Sequence, residues 1–215
     1  MDQSSPNSSL ERLLKSLIDH EEEFRELDAA AGDGDLGITV RAAAAAVLEW
    51  LPQDGTVAST KDLLAGMAQV CASTSPSTFG SLVSRGLAAA AQALGDEPRD
   101  DLSSLVVALE AGIAMVQRRG RAESGEKTLL DALIPALHAA RSATSVPEAL
   151  PLMRVAAVAG TEQMASAVPK HGRAAWVGER ASGIPDAGSV VVIRALEALE
   201  GPTTQPWDVG MASKR

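Results

Sequence analysis

Apolar positions along the chain recur at helical spacing, and clusters of glycine, proline and polar residues interrupt them. Leu10, Leu13, Leu14, Leu17, Ile18, Phe24 and Leu27 fall on one helical face, the pattern of an amphipathic helix. They predict a first helix over 10–30. The same reasoning predicts helices over 38–51, 61–72, 79–94, 102–119, 128–141, 147–168 and 189–199. AAGDGDLG, QDGTVAST, STSPST, GDEPRD, GRAESGEK and the long stretch PKHGRAAWVGERASGIPDAG separate them, and each has the composition of a breaker or turn. Pro135 lies inside the sixth segment and predicts a kink there, whereas Pro147 suits the first turn of the seventh. VVVI at 190–193 has a strand-like composition, but RALEALE continues it at helical period. The expectation is all-α: an antiparallel barrel or bundle of about eight helices forming a single domain over 1–215, with 1–8 and 202–215 loose.

Composition sharpens this picture. Hydrophobic residues make up 46% of the chain and aromatics only 2%, so the core must be built from Ala, Leu and Val. Alanine is the best helix former and lets helices pack closely, while sheets draw on β-branched and aromatic residues. The net charge is −9 and the pI about 4.8. An acidic chain is a poor match for nucleic acid and for anionic membrane surfaces. Binding a nucleotide would need a local device: metal ions, a helix N-terminus or a few placed cations. Cys71 is the only cysteine, which excludes an internal disulfide. MDQSSPNSS lacks the features of a secretory signal, and the expected compartment is the cytoplasm.

The loops carry the candidate chemistry. Asp28, Asp33 and Asp35 bracket the first loop, with Gly32, Gly34 and Gly37 between and beside them. Glycine lets such a loop turn tightly, so the carboxylates can converge on a hard cation such as magnesium. An ordinary helix-connecting turn with solvated aspartates is the competing reading. An EF-hand is excluded because the twelfth position from Asp33 is Ala44, where a glutamate is required. STSPST reads either as an N-cap cluster or as a phosphate cradle at a helix start. GRAESGEKT imitates a P-loop, but Glu126 intrudes before Lys127 and Thr128 and no strand precedes it, so a P-loop is rejected. Lys127 and Thr128 then stand at a helix start, where a cap is the plain reading. His20, His138 and His171 have no zinc-ligand spacing.

LDAAAGDGDLG, FGS, GEKTLLDALIPAL and GRAAWVGERASGIPDAGS, taken in order over roughly 10–200, resemble the L subunit or L domain of dihydroxyacetone kinases. The resemblance implies an eight-helix barrel with a nucleotide, ADP or ATP, in the loops at one end. It implies two magnesium ions held by Asp28, Asp33, Asp35 and the phosphates. It places Leu36, Ser75, Thr78, Ser81, Thr128, Arg173, Asp186 and Gly188 on the nucleotide side. The reaction implied is phosphoryl transfer, which needs positioning and charge neutralisation more than covalent chemistry. The implied partner is a K-type subunit that binds the keto-sugar, with a phosphotransferase-system protein as a further donor where bound ADP is recharged. A homodimer is left open.

The chain departs from that family in two places. Leu36 stands where the family has histidine after GDGD. ASTSP, with Ser73 and Pro76, stands where its loop is glycine-rich. Both changes predict a site that still binds nucleotide but releases it more readily. They also keep alive a second reading, a non-catalytic regulatory or binding protein on the same scaffold. A third, a plain helical interaction module, leaves the four ordered motifs unexplained.

Overall fold

The computed structural model describes residues 6–52, 59–74, 77–95, 101–172, 174–202 and 207–209. Ten α-helices and one 3-10 turn account for most of them, and no strand occurs among the described residues. The helices are α1 (Pro6–Asp19), α2 (Glu21–Ala31), α3 (Leu36–Trp50), α4 (Thr60–Thr74), α5 (Thr78–Ala93), α6 (Leu102–Gly120), α7 (Leu130–Ser142), α8 (Val146–Met164), the single turn α9 (Ala174–Val177) and α10 (Ala187–Glu200). A 3-10 turn, Gly178–Ala181, follows α9.

Eight of these helices form a closed ring. α1 packs on α3, then α4, α5, α6, α7, α8 and α10 follow in chain order, and α10 returns to α1. Arg12 seals the closure, its Nε donating to the carbonyl of Ala198 at 2.6 Å. α2 stands outside this order, against α3 and α10. The expected first helix is therefore two helices broken at His20. The apolar spacing runs through the break, but Glu21, Glu22 and Glu23 crowd the first turn of α2, where acidic side chains complement the helix dipole.

Small residues set the spacing of the ring. Ala132, Ala136, Ala140, Ala149 and Ala157 are buried where α7, α8 and α10 meet, so backbones approach closely. Pro135 sits inside α7, which continues through it. Proline has no N–H for the carbonyl four residues back, here Asp131. A Cβ at Gly160 on α8 would come within 2.1 Å of that carbonyl oxygen, so Gly160 admits α8 to the spot that Pro135 leaves open. With so few aromatics, the same side chains do not fill the ring's centre. An apolar cavity of about 610 Å³ remains there, lined by residues including Leu17, Val47, Met67, Leu87, Leu109 and Leu133.

Parts of both ends fall among the described residues. Residues 6–8 already belong to α1. Trp207 packs against the core and its indole N–H donates to Glu162 at 3.0 Å. No helix among the described residues is long and apolar enough to cross a membrane.

Candidate functional site

At one end of the ring the loops enclose a cleft of about 310 Å³. The helix starts Leu36 of α3, Thr78 of α5, Leu130 of α7 and Ala187 of α10 all line it. Gly120, the last residue of α6, lines it as well, as alternating helix directions require. Four helix N-termini thus face one space. Each carries a partial positive charge of roughly half a unit and N–H groups not used within the helix. An acidic protein here assembles an anion-attracting end without surface cations.

One wall is the loop between α2 and α3. One oxygen from each of Asp28, Asp33 and Asp35 lies within 4.8 Å of the others. Gly34 takes φ +77°, a backbone conformation that favours glycine, and this folds Asp33 and Asp35 back toward Asp28. A Cβ at Gly32 would lie 2.7 Å from Asp28 Oδ1, so glycine leaves that carboxylate its position. Its other oxygen, Oδ2, accepts the Leu36 N–H at 3.0 Å. The Asp35 carboxyl is held above the usual carboxylate range, first by burial and then by the charge of Asp28. Oxygen ligands at mutual repulsion are the donor set a hard divalent cation requires.

The loop before α7 and the start of α10 are built differently. Asp131 is 4% exposed; its carboxylate accepts the N–H of Gly125 and that of Thr128 at 2.8 Å. It thereby shapes the loop before α7. Asp186 caps α10, accepting from Ser189 N–H at 2.7 Å. Burial pushes its carboxyl up to about 6, further raised by Asp131 and pulled down by the Ser189 bonds and Lys127. Ser189 Oγ donates in turn to the carbonyl of Thr128 at 2.9 Å. His171 Nε2 and Lys170 Nζ pair with Glu126, tying the stretch after α8 to the same loop.

The cleft brings together most of the residues expected from sequence. Asp28, Asp33, Asp35, Leu36, Thr78, Thr128, Asp186 and Gly188 all line it. Leu36 does so while its side chain joins Phe24, Leu27 and Val40 in the core, so this position contributes packing and a backbone N–H. Ser81 lies elsewhere, on a groove along α4 and α5. Ser75, Pro76 and Arg173 fall outside the described residues. Ser77, read only as one hydroxyl of a cluster, lines the cleft and caps α5 through Gly80 N–H at 3.0 Å. Sequence reasoning missed the buried part of Asp131, for which ordinary helix composition gives no signal. It also left Lys127 as a cap, although Lys127 is buried and its φ is +58°.

Comparison with known proteins identifies the family. Residues 30–201 match the DAK2 domain family. The chain is 32% identical to human triokinase/FMN cyclase over 194 residues, which is 88% of this chain and 33% of that protein. It is 34% identical to the L-erythrulose kinase of Pectobacterium atrosepticum over 185 residues, 82% of this chain and 31% of that one. Among solved structures, the dihydroxyacetone kinase from C. freundii in complex with AMP-PNP and Mg2+ superposes with a TM-score of 0.74 at 28% identity, covering 89% of this chain and 32% of that one. The chain thus spans about a third of the length of these relatives. It belongs to the DAK2 domain family, and its all-helical fold is that of the dihydroxyacetone kinase L-type domain.

Proposed function

We propose that this chain is the nucleotide-binding, phosphoryl-transferring L subunit of a kinase for dihydroxyacetone or a related short keto-sugar, working with a separate K-type subunit that carries the sugar. The observation that carries this reading is the meeting of three carboxylates with four helix N-termini in one cleft. Carboxylates alone would repel a nucleotide; helix N-termini alone would bind any anion. Together they suit a polyphosphate bridged to the protein by magnesium.

In this reading Asp28, Asp33 and Asp35 hold the metal. The three carboxylate oxygens lie within 4.8 Å of one another and would supply the oxygen donors that magnesium takes. When bound, magnesium neutralises charge on the phosphates and on the group in transfer. The chain's own residues do the rest. N–H groups at the starts of α3, α5 and α10 receive phosphate oxygens. Thr78 and Thr128 offer hydroxyls. Phe79, Leu82 and Val116 give the cleft an apolar side suited to a nucleobase. Thr128, Asp186 and Gly188 line the same cleft.

Among the described residues nothing in the cleft resembles a ketone-capturing group, apart from His171, which is engaged by Glu126. In this reading the partner carries the sugar. ATP is the donor in the simplest case; the other is a phosphotransferase-system protein that recharges ADP held in the cleft. The test is turnover. The purified chain with ATP and magnesium should not phosphorylate dihydroxyacetone, and addition of a K-type subunit should start the reaction with ATP or with the phosphoprotein relay. Turnover by the single chain, or silence with every partner and donor, would refute the assignment.

A further inference from the structure

Lys127 is the residue that makes GRAESGEKT look like a phosphate-binding loop, and its geometry gives it another task. It is 3% exposed. Its Nζ donates to the carbonyls of Ala165 at 2.7 Å, Ala167 at 2.9 Å and Ala181 at 2.7 Å. An ammonium has three N–H donors, and all three are spent on main chain. Those carbonyls belong to the exit of α8 and to the last residue of the 3-10 turn. The two segments flank the stretch 168–174, and the second leads directly into Asp186. Pro169, His171, Gly172, Pro185 and Asp186 all line the cleft. The main chain at Lys127 itself takes φ +58°, a strained region for a residue with a Cβ, so the loop is bent to turn this side chain inward. The carboxylate of Asp186 acts on the buried ammonium from nearby.

We propose that Lys127 is the positioning residue of the nucleotide cleft: its ammonium clamps the loop before α7, the exit of α8 and the 3-10 turn into one wall, and it contacts no phosphate. This rests on the nucleotide reading above. Three charge-assisted bonds hold segments 38 to 54 residues away from Lys127, where direct ties are few: Gly183 N–H to the Ala165 carbonyl at 2.8 Å and Ser182 Oγ to the Ser166 carbonyl at 2.9 Å. Removing the ammonium frees three carbonyls at once and lets 165–186 move away from Thr128.

The test pairs hydrogen–deuterium exchange of the nucleotide-free protein with calorimetry of magnesium and ADP on wild type, K127M and K127R. In K127M, amides within 165–186 should exchange at least about tenfold faster while α1 and α3 keep their protection. ADP affinity per folded molecule should fall at least about tenfold. K127R, which keeps charge and donors, should recover part of both. Should K127M fail to fold, K127Q, with at most two neutral donors, takes its place with the same expectations. Wild-type exchange and affinity in the neutral variant would overturn the clamp, as would uniform loosening of every helix with affinity lost only in step with the unfolded fraction. A wild-type chain that binds no ADP, with exchange still loosened locally in K127M, would instead sink the nucleotide reading and leave the clamp standing.

Discussion

The two walls of the cleft use charge in opposite ways. Asp28 near the end of α2 and Asp33 and Asp35 in the loop after it gather like charges within 4.8 Å, and burial first, then the charge of Asp28, raises the Asp35 carboxyl. The wall of Lys127, Asp131 and Asp186 sets opposite charges near one another and joins them to main-chain groups. The first arrangement costs energy until a cation arrives. The second ties Lys127 and Asp131 to main-chain groups within the protein and fixes shape, while burial holds Asp186 toward its protonated form. A binding site of this kind needs both: one side waiting for charge, the other holding the helix N-termini where phosphates must go.

The largest effect is expected on the aspartate wall. Asp33→Asn and Asp35→Asn should each weaken magnesium-dependent ADP binding by about 100-fold or more, a loss of about 2.7 kcal/mol, with circular dichroism unchanged. Calorimetry decides; near wild-type affinity in both variants would show that this wall is only a turn.

The shape-holding wall should answer in stability. Asp131→Ala strips the buried acceptor from two backbone N–H groups, and hydrogen bonds to charged groups are worth about 1.5–3 kcal/mol each. Destabilisation of about 3 kcal/mol is expected, lowering Tm by roughly 6–12 °C at the usual scaling for this length. A Tm shift under a few degrees would contradict the role given to Asp131.

Asp186 separates stability from function. Its folded pKa, about 6, lies above the ordinary aspartate value of 3.8, so the folded state holds this proton more tightly. The ionised form therefore costs stability: nothing below about pH 4, and progressively more as pH rises through 6. Asp186→Asn keeps an acceptor for the Ser189 N–H and removes that cost. Against wild type it should be equal at pH 4 and more stable by roughly 1–3 kcal/mol at pH 8, as read by urea unfolding. A variant less stable than wild type at pH 8 would reverse the sign of this argument.

The smallest effect belongs to the exposed tie. Glu126→Gln breaks the pairing with His171 and Lys170, and surface pairs contribute little. Tm should stay within about 2 °C of wild type. A large drop would mean that the buried clamp does not carry this wall by itself.

Much of this was legible beforehand, and the reasons differ by residue. DGD between glycines was legible as a candidate beside the plain reading of a turn, and its two carboxylates do converge with Asp28 from α2. The helices were legible from period alone, most ends displaced by a residue or two; α1 begins four residues before the expected start and α8 stops four before the expected end. The break at His20 was not, because both α1 and α2 bury the same apolar stripe and only the acidic first turn of α2 marks the join. Trp207 was hidden for another reason: a short polar tail gives no periodic signal, and its indole is captured by Glu162 on α8. Lys127 was left as a cap once the P-loop was rejected; only three dimensions show its ammonium turned toward carbonyls. Ser81 is one helical turn from Ser77, yet that turn carries it away from the cleft and onto the outer groove of α4 and α5.

The most direct test of the account is an ADP titration of the wild-type chain followed by calorimetry, once with magnesium in excess and once with the metal chelated. The two-wall cleft predicts one site per chain with magnesium and affinity weakened by about 100-fold or more without it. Equal affinity in both conditions would mean that the helix N-termini bind phosphate by themselves and that the aspartates have no part in it; no binding in either would remove the nucleotide from this cleft.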